Sequence, residues 1–210
     1  MRSADATTLI RVLLVIFVAY LIIYKFNPFV IAVLIAIAIL LDAVDGFFAV
    51  HEASSGRITL GVYLSGLLGN ERSKKAVGSV KKTLKKKAKF GARIDVAGDR
   101  AVEYILWITF VYTGVVPIII LFLIVIRHSF VDAVMAAKGT SSKMKTKFAK
   151  VVYSSNIGRG FVNVLKFVTW AYLPFVYISG YPITIGYALV AVLFAYIMLR
   201  GAAEVYESFA

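Results

Sequence analysis

Apolar residues run along the chain in six long stretches, divided by short polar breaks. They extend from Thr8 to Tyr24, Pro28 to Val50, Gly91 to Tyr112, Val115 to Ala137, Ile157 to Ile178 and Ile183 to Leu199. A helix that crosses the hydrocarbon core of a bilayer needs ~20 mostly apolar residues. Each stretch therefore predicts a membrane-spanning helix. The pattern changes between the second and third. Across Glu71–Phe90 only Val77, Val80, Leu84 and Ala88 recur at helical spacing, and lysines fill the rest. That is the pattern of a basic amphipathic helix lying at a membrane surface. The expected fold class is an all-α integral membrane protein with six transmembrane helices. Residues 1–210 form one membrane domain, interrupted by a basic insertion at 51–90.

Composition agrees. The 210 residues are 60% hydrophobic and 17% charged, and mean hydropathy is +0.85. Soluble domains are nearer ~45–50% apolar and ~25% charged, so both disorder and an ordinary soluble enzyme are disfavoured. The net charge of +13 has to be placed. Arg2 and Arg11 precede or open the first span. Ten Lys and Arg lie between the second and third spans. Lys138, Lys143, Lys145, Lys147 and Lys150 lie between the fourth and fifth, and Arg159 opens the fifth. The remaining loops carry Lys25 alone. Basic residues mark the cytoplasmic side, so the alternation predicts six helices with both termini in the cytoplasm of a multi-pass cell-membrane protein. The lysine run has few aromatics for base stacking, so nucleic acid is not an expected partner. The absence of cysteine excludes thiolate metal sites and Cys nucleophiles.

The informative residues are acids in apolar surroundings. Asp42 and Asp45 stand at i, i+3 near the cytoplasmic end of the second span. Asp95 and Asp99 stand at i, i+4 near the start of the third. Each pair projects from one helix face. An ionisable residue inside a span costs ~2.5–3.5 kcal/mol on insertion scales, which makes it a functional candidate. Four carboxylates at one depth repel each other unless a cation lies between them, and Mg²⁺ and Mn²⁺ favour such ligands. Gly46 and Gly91 sit beside the pairs, where a glycine lets a ligand come close. Solvated interfacial acids paired with neighbouring bases are the bland alternative. An ion or proton pathway, hence a transporter, is the other functional one.

Asp42-Ala-Val-Asp45-Gly46-Phe-Phe-Ala49 followed by Gly91-Ala-Arg-Ile-Asp95-Val-Ala-Gly-Asp99 resembles the signature of the CDP-alcohol phosphotransferase family, D-x2-D-G-x2-A-R, a spacer, then G-x3-D-x3-D. Thr8-Leu-Ile-Arg11 is similar to the T-x-x-R of that family's first helix. Two departures stand out. Val50 occupies the arginine position, and forty residues fill a spacer of about eight. The Ile94–Tyr104 wording is most similar to archaeal members, which implies an archaeal-type donor such as CDP-archaeol.

The resemblance implies transfer of a phosphoalcohol group from a CDP-linked lipid to a second alcohol, with release of CMP, at a site facing the cytoplasm. It implies one or two Mg²⁺ or Mn²⁺ ions on Asp42, Asp45, Asp95 and Asp99, with Asp99 also the general base. Gly46, Ala49, Gly91 and Thr8, with Asp42 and Asp95, would form the cytidine diphosphate site. Arg127, Lys143, Lys145 and Arg159 would hold a phosphate on a small acceptor such as inositol phosphate or glycerol phosphate. A homodimer is also implied. His128 reads as a packed histidine, Glu103 as the partner of a buried base, and Trp107 and Trp170 as lipid-facing or interfacial anchors. A silent membrane anchor with the basic insert as its interaction module is a third reading.

Overall fold

The computed structural model describes residues 3–67, 70–87, 91–138, 146 and 156–209. Within the helices, the side chains of residues 3–5, 42–46, 49, 64, 67, 74, 81–87, 91–95, 135–138, 156–157, 159 and 208–209 lie outside the description. The described residues are all-α: α1 (Ser3–Ile23), α2 (Pro28–Ala53), α3 (Leu60–Leu67), α4 (Glu71–Lys87), α5 (Gly91–Tyr112), α6 (Ile118–Lys138), α7 (Asn156–Ser179) and α8 (Ile183–Phe209). Local chemistry sets several ends. Asn27 accepts from the Phe29 N–H at 2.9 Å and caps α2, with Pro28 in the first position, where its missing N–H costs nothing. Asn70 caps α4 in the same way. Gly114 and Gly180 follow α5 and α7 at φ 75° and 69°, left-handed values that a side chain would strain.

Among the described residues, three segments are long and apolar enough to cross a bilayer: Ala6–Ile23 in α1, Gly160–Ser179 in α7 and Ile183–Glu207 in α8. Pro28–Leu41 of α2 is a shorter apolar run. These are the features of a multi-pass membrane protein, and many of their large apolar side chains face outward. Leu13, Phe17 and Tyr20 on α1 and Val192 and Leu199 on α8 are exposed. A helix apolar on its outer face needs an apolar solvent.

The chain divides into two compact units, residues 1–17 with 37–102, and residues 18–36 with 103–210. The first holds α3 and α4, which pack together and are joined by a hydrogen bond between the Ser65 and Ser73 hydroxyls at 2.9 Å. The apolar pattern predicts α4 but gives no sign of α3. Val77, expected on the membrane-facing stripe of α4, is instead buried with Val50, Ile58 and Tyr63, and Val80 packs beside them. The upstream chain folds back and offers these valines a protein surface, so this part of the stripe is covered from within. Leu84 lies among the side chains not described, and Ala88 outside the described residues.

In the second unit α6 and α7 both pack on α8. Its core includes Ile31, Ile35, Trp107, Phe110, Ile124, Leu173 and Leu193. The tryptophans overturn an expectation: Trp107 and Trp170 are buried, not interfacial. The reason is helical phase. Trp107 stands one turn after Glu103 and Trp170 one turn after Lys166, and those two residues turn inward to pair with each other. α8 also runs ten residues past its expected end at Leu199. Beyond that point Glu204 and Glu207 find partners on the protein.

Candidate functional site

All residues of the aspartate pattern belong to the first unit. Asp42 and Asp45 lie one turn apart on α2, and Asp95 and Asp99 one turn apart on α5. The side chains of Asp42, Asp45, Gly46, Ala49, Gly91 and Asp95 lie outside the description, so the structure speaks through Asp99. The Asp99 carboxylate is 44% exposed and forms an ion pair with Arg11 of α1. Arg11, read from the sequence as part of the cytoplasmic charge, is buried inside the first helix. A guanidinium so placed needs a carboxylate, and Asp99 supplies it from 88 residues away in sequence.

Thr8, one turn before Arg11 on the same face, meets α5 directly. A Cβ added to Gly98 would overlap the Thr8 methyl and come within 3.7 Å of Arg11 Nη2. Gly98 therefore lets α1 and α5 approach closely enough for Arg11 to reach Asp99. The Thr-x-x-Arg pattern was the signal for both contacts, and Gly98 beside Asp99 is the residue that sequence reasoning missed.

Val50 is 1% exposed and sits in the cluster with Ile58, Tyr63 and Val77. The two departures from the pattern thus share one cause. The forty-residue insert packs back onto position 50, and an apolar residue there completes its small core.

The four acceptor-side candidates fall in the second unit or outside the described residues. Arg127 Nη2 donates to Glu204 Oε2 at 2.8 Å, with side-chain exposures of 10% and 3%. Gly201 makes room, since a Cβ there would stand 2.6 Å from Arg127 Nε. Arg127 is thus engaged by an acid the sequence reading passed over. Arg159 lies in the first turn of α7, with its side chain outside the description. Lys143 and Lys145 lie outside the described residues, although neighbouring Thr146 donates from N and Oγ1 to Glu207 Oε2 at 2.9 and 2.6 Å.

Glu103 pairs with Lys166 of α7 and faces His128 Nε2 of α6 at 3.4 Å. It has the basic partner its sequence position implied. His128 is buried with its ring tilted against Tyr104, a packed histidine as expected.

Among the described residues no three His, Asp or Glu side chains gather as a metal site. The donor chemistry of the aspartate pattern nevertheless fits a hard divalent cation. Arg11 engages Asp99 at Oδ1, and a carboxylate offers two oxygens with about four lone-pair sites, so the ion pair and a cation are compatible on one group. No family model, curated protein or solved structure matches this chain.

Proposed function

We propose that the protein is a metal-dependent CDP-alcohol phosphotransferase of phospholipid synthesis, built on six transmembrane helices with its aspartates at the cytoplasmic face. One observation supports this most. Thr8 and Arg11 come against Gly98 and Asp99, so two distant parts of one sequence pattern meet in space. A chance pattern has no reason to converge on its last aspartate.

In this reading Asp42, Asp45, Asp95 and Asp99 hold one or two Mg²⁺ or Mn²⁺ ions. A cation held there would supply charge compensation to the pyrophosphate and to the departing CMP. Asp99 accepts the proton of the attacking hydroxyl, and Arg11 is the positioning residue that fixes its carboxylate. Gly46, Ala49, Gly91 and Thr8 let the nucleotide approach. The donor is a CDP-linked lipid of archaetidyl type, drawn from the bilayer. The acceptor is a small phosphorylated alcohol, for which Arg127, Lys143, Lys145 and Arg159 are the candidate cations. The protein acts as a homodimer.

The test is CMP release from labelled CDP-lipid by the purified protein in a bilayer, over a panel of acceptors with Mg²⁺ or Mn²⁺. Asp99→Asn abolishes release if the reading holds. No CMP with any acceptor, or unchanged release from Asp99→Asn, would sink it. The alternative is an ion pathway, and the buried Glu103 and His128 with the partly buried Lys166 favour it, because intramembrane ionisable residues line such paths. Ion flux without CMP formation would select it.

A further inference from the structure

The turn after α2 is tightly built. Ser54 Oγ donates to the His51 carbonyl at 2.9 Å and accepts from the Ile58 N–H at 3.1 Å. His51 Nδ1 lies 2.8 Å from the Ile58 carbonyl. Ser55 and Gly56 take left-handed φ values of 52° and 79°. The turn brings Arg57 and Ile58 opposite α4, and an open groove of about 410 Å³ lies between them. Ala53, Ile58, Ala76 and Val80 give it apolar walls, and Arg57 and Ser55 are its available donors. Ser54 and Ser79 also line it, but their hydroxyls already donate to carbonyls.

Arg57 is exposed and makes no ion pair among the described residues. Arg72 and Lys75 stand one turn before Ala76 and Ser79 on the same face of α4 and are also exposed. Only Glu52 and Glu71 oppose the ten Lys and Arg of residues 51–90. The groove is therefore positive at its rim and apolar along its walls, with a volume in the range of small-molecule sites, roughly 300–1,000 Å³. A free phosphate would use the charge and leave the walls idle. A phospholipid headgroup uses both, and three helices among the described residues are fit to cross a bilayer.

We infer that this groove binds the phosphate of an anionic phospholipid. The Arg57 fork grips the phosphate oxygens, Ser55 donates beside it, and the apolar walls take the glycerol and first acyl carbons. This site is separate from the aspartate pattern and does not rest on the transferase reading.

The test uses the full chain in phosphatidylcholine nanodiscs, titrated with dihexanoyl-phosphatidylglycerol and, separately, with inorganic phosphate. Bound adducts are counted by native mass spectrometry, and the melting temperature without ligand shows that each variant is folded. The short-chain lipid is expected to bind saturably and more tightly than phosphate. Arg57→Gln should weaken it by at least about tenfold, the scale of a charged hydrogen-bonded contact. Ala76→Phe, which fills the groove without changing charge, should weaken it too. Lys25→Gln, which removes one charge elsewhere, should not. Lipid binding by Arg57→Gln equal to wild type, or reduced no more than in Lys25→Gln, overturns the site. Inorganic phosphate binding as tightly as the lipid overturns the lipid assignment.

Discussion

The Arg127–Glu204 pair offers the sharpest energetic test of the second unit. Both side chains are nearly buried, and their contact joins α6 to α8. At 2.8 Å and an effective dielectric of about 20, the direct attraction is about 6 kcal/mol. Desolvation of two ions consumes much of this, so the pair itself adds little net stability. Breaking it is another matter. Glu204→Ala takes this carboxylate away from a nearly buried guanidinium and should cost about 3–5 kcal/mol. Arg127→Ala should cost about as much. The double alanine variant should cost less than the two combined, with a coupling of at least ~1.5 kcal/mol. Arg127→Met with Glu204→Leu, which fills the space with apolar atoms, should recover most of the loss. The assay is reversible unfolding in mixed micelles of mild detergent and dodecyl sulfate, followed by helical circular dichroism. Single-variant losses that add to within about 0.5 kcal/mol would refute the coupling.

Three further outcomes are expected. Gly98→Ala should destabilise the contact between α1 and α5 by about 1–3 kcal/mol through overpacking, and Thr8→Ser, which removes the clashing methyl, should restore it. A Gly98→Ala melting temperature equal to wild type would count against close approach at this point. Val50→Arg, which restores the arginine of the resembled pattern, should destabilise the insert by ~3 kcal/mol or more by burying an unpaired charge, measured as faster proteolysis within residues 51–90. Equal protease resistance would show that position 50 is not a core position. Mg²⁺ or Mn²⁺ should raise the melting temperature, since a ligand bound only by the native state stabilises it. The rise should vanish in Asp99→Asn, and a wild-type melt unmoved by either ion or by EDTA would argue against the four-aspartate site.

Long-period apolar runs are a one-dimensional property, so the sequence alone determined that the chain is helical and where most helices begin. The Gly91–Tyr112 helix was legible to the residue, because Gly114 stops it and apolar phase fills it. The paired aspartates and the Thr-x-x-Arg pattern were legible for the same reason, being regular offsets on single helices. Partners across helices were not. No spacing rule joins residue 11 to 99 or 127 to 204, since such pairs depend on which faces meet and at what depth. The tertiary structure therefore decided that Arg11 is a buried partner of Asp99 instead of surface charge. It also decided that Trp107 and Trp170 follow Glu103 and Lys166 inward, and that Val50 and Val77 make a core for the insert. Apolar patterning says only that a face must leave water. Lipid and protein both satisfy that demand, and only the packed helices choose between them.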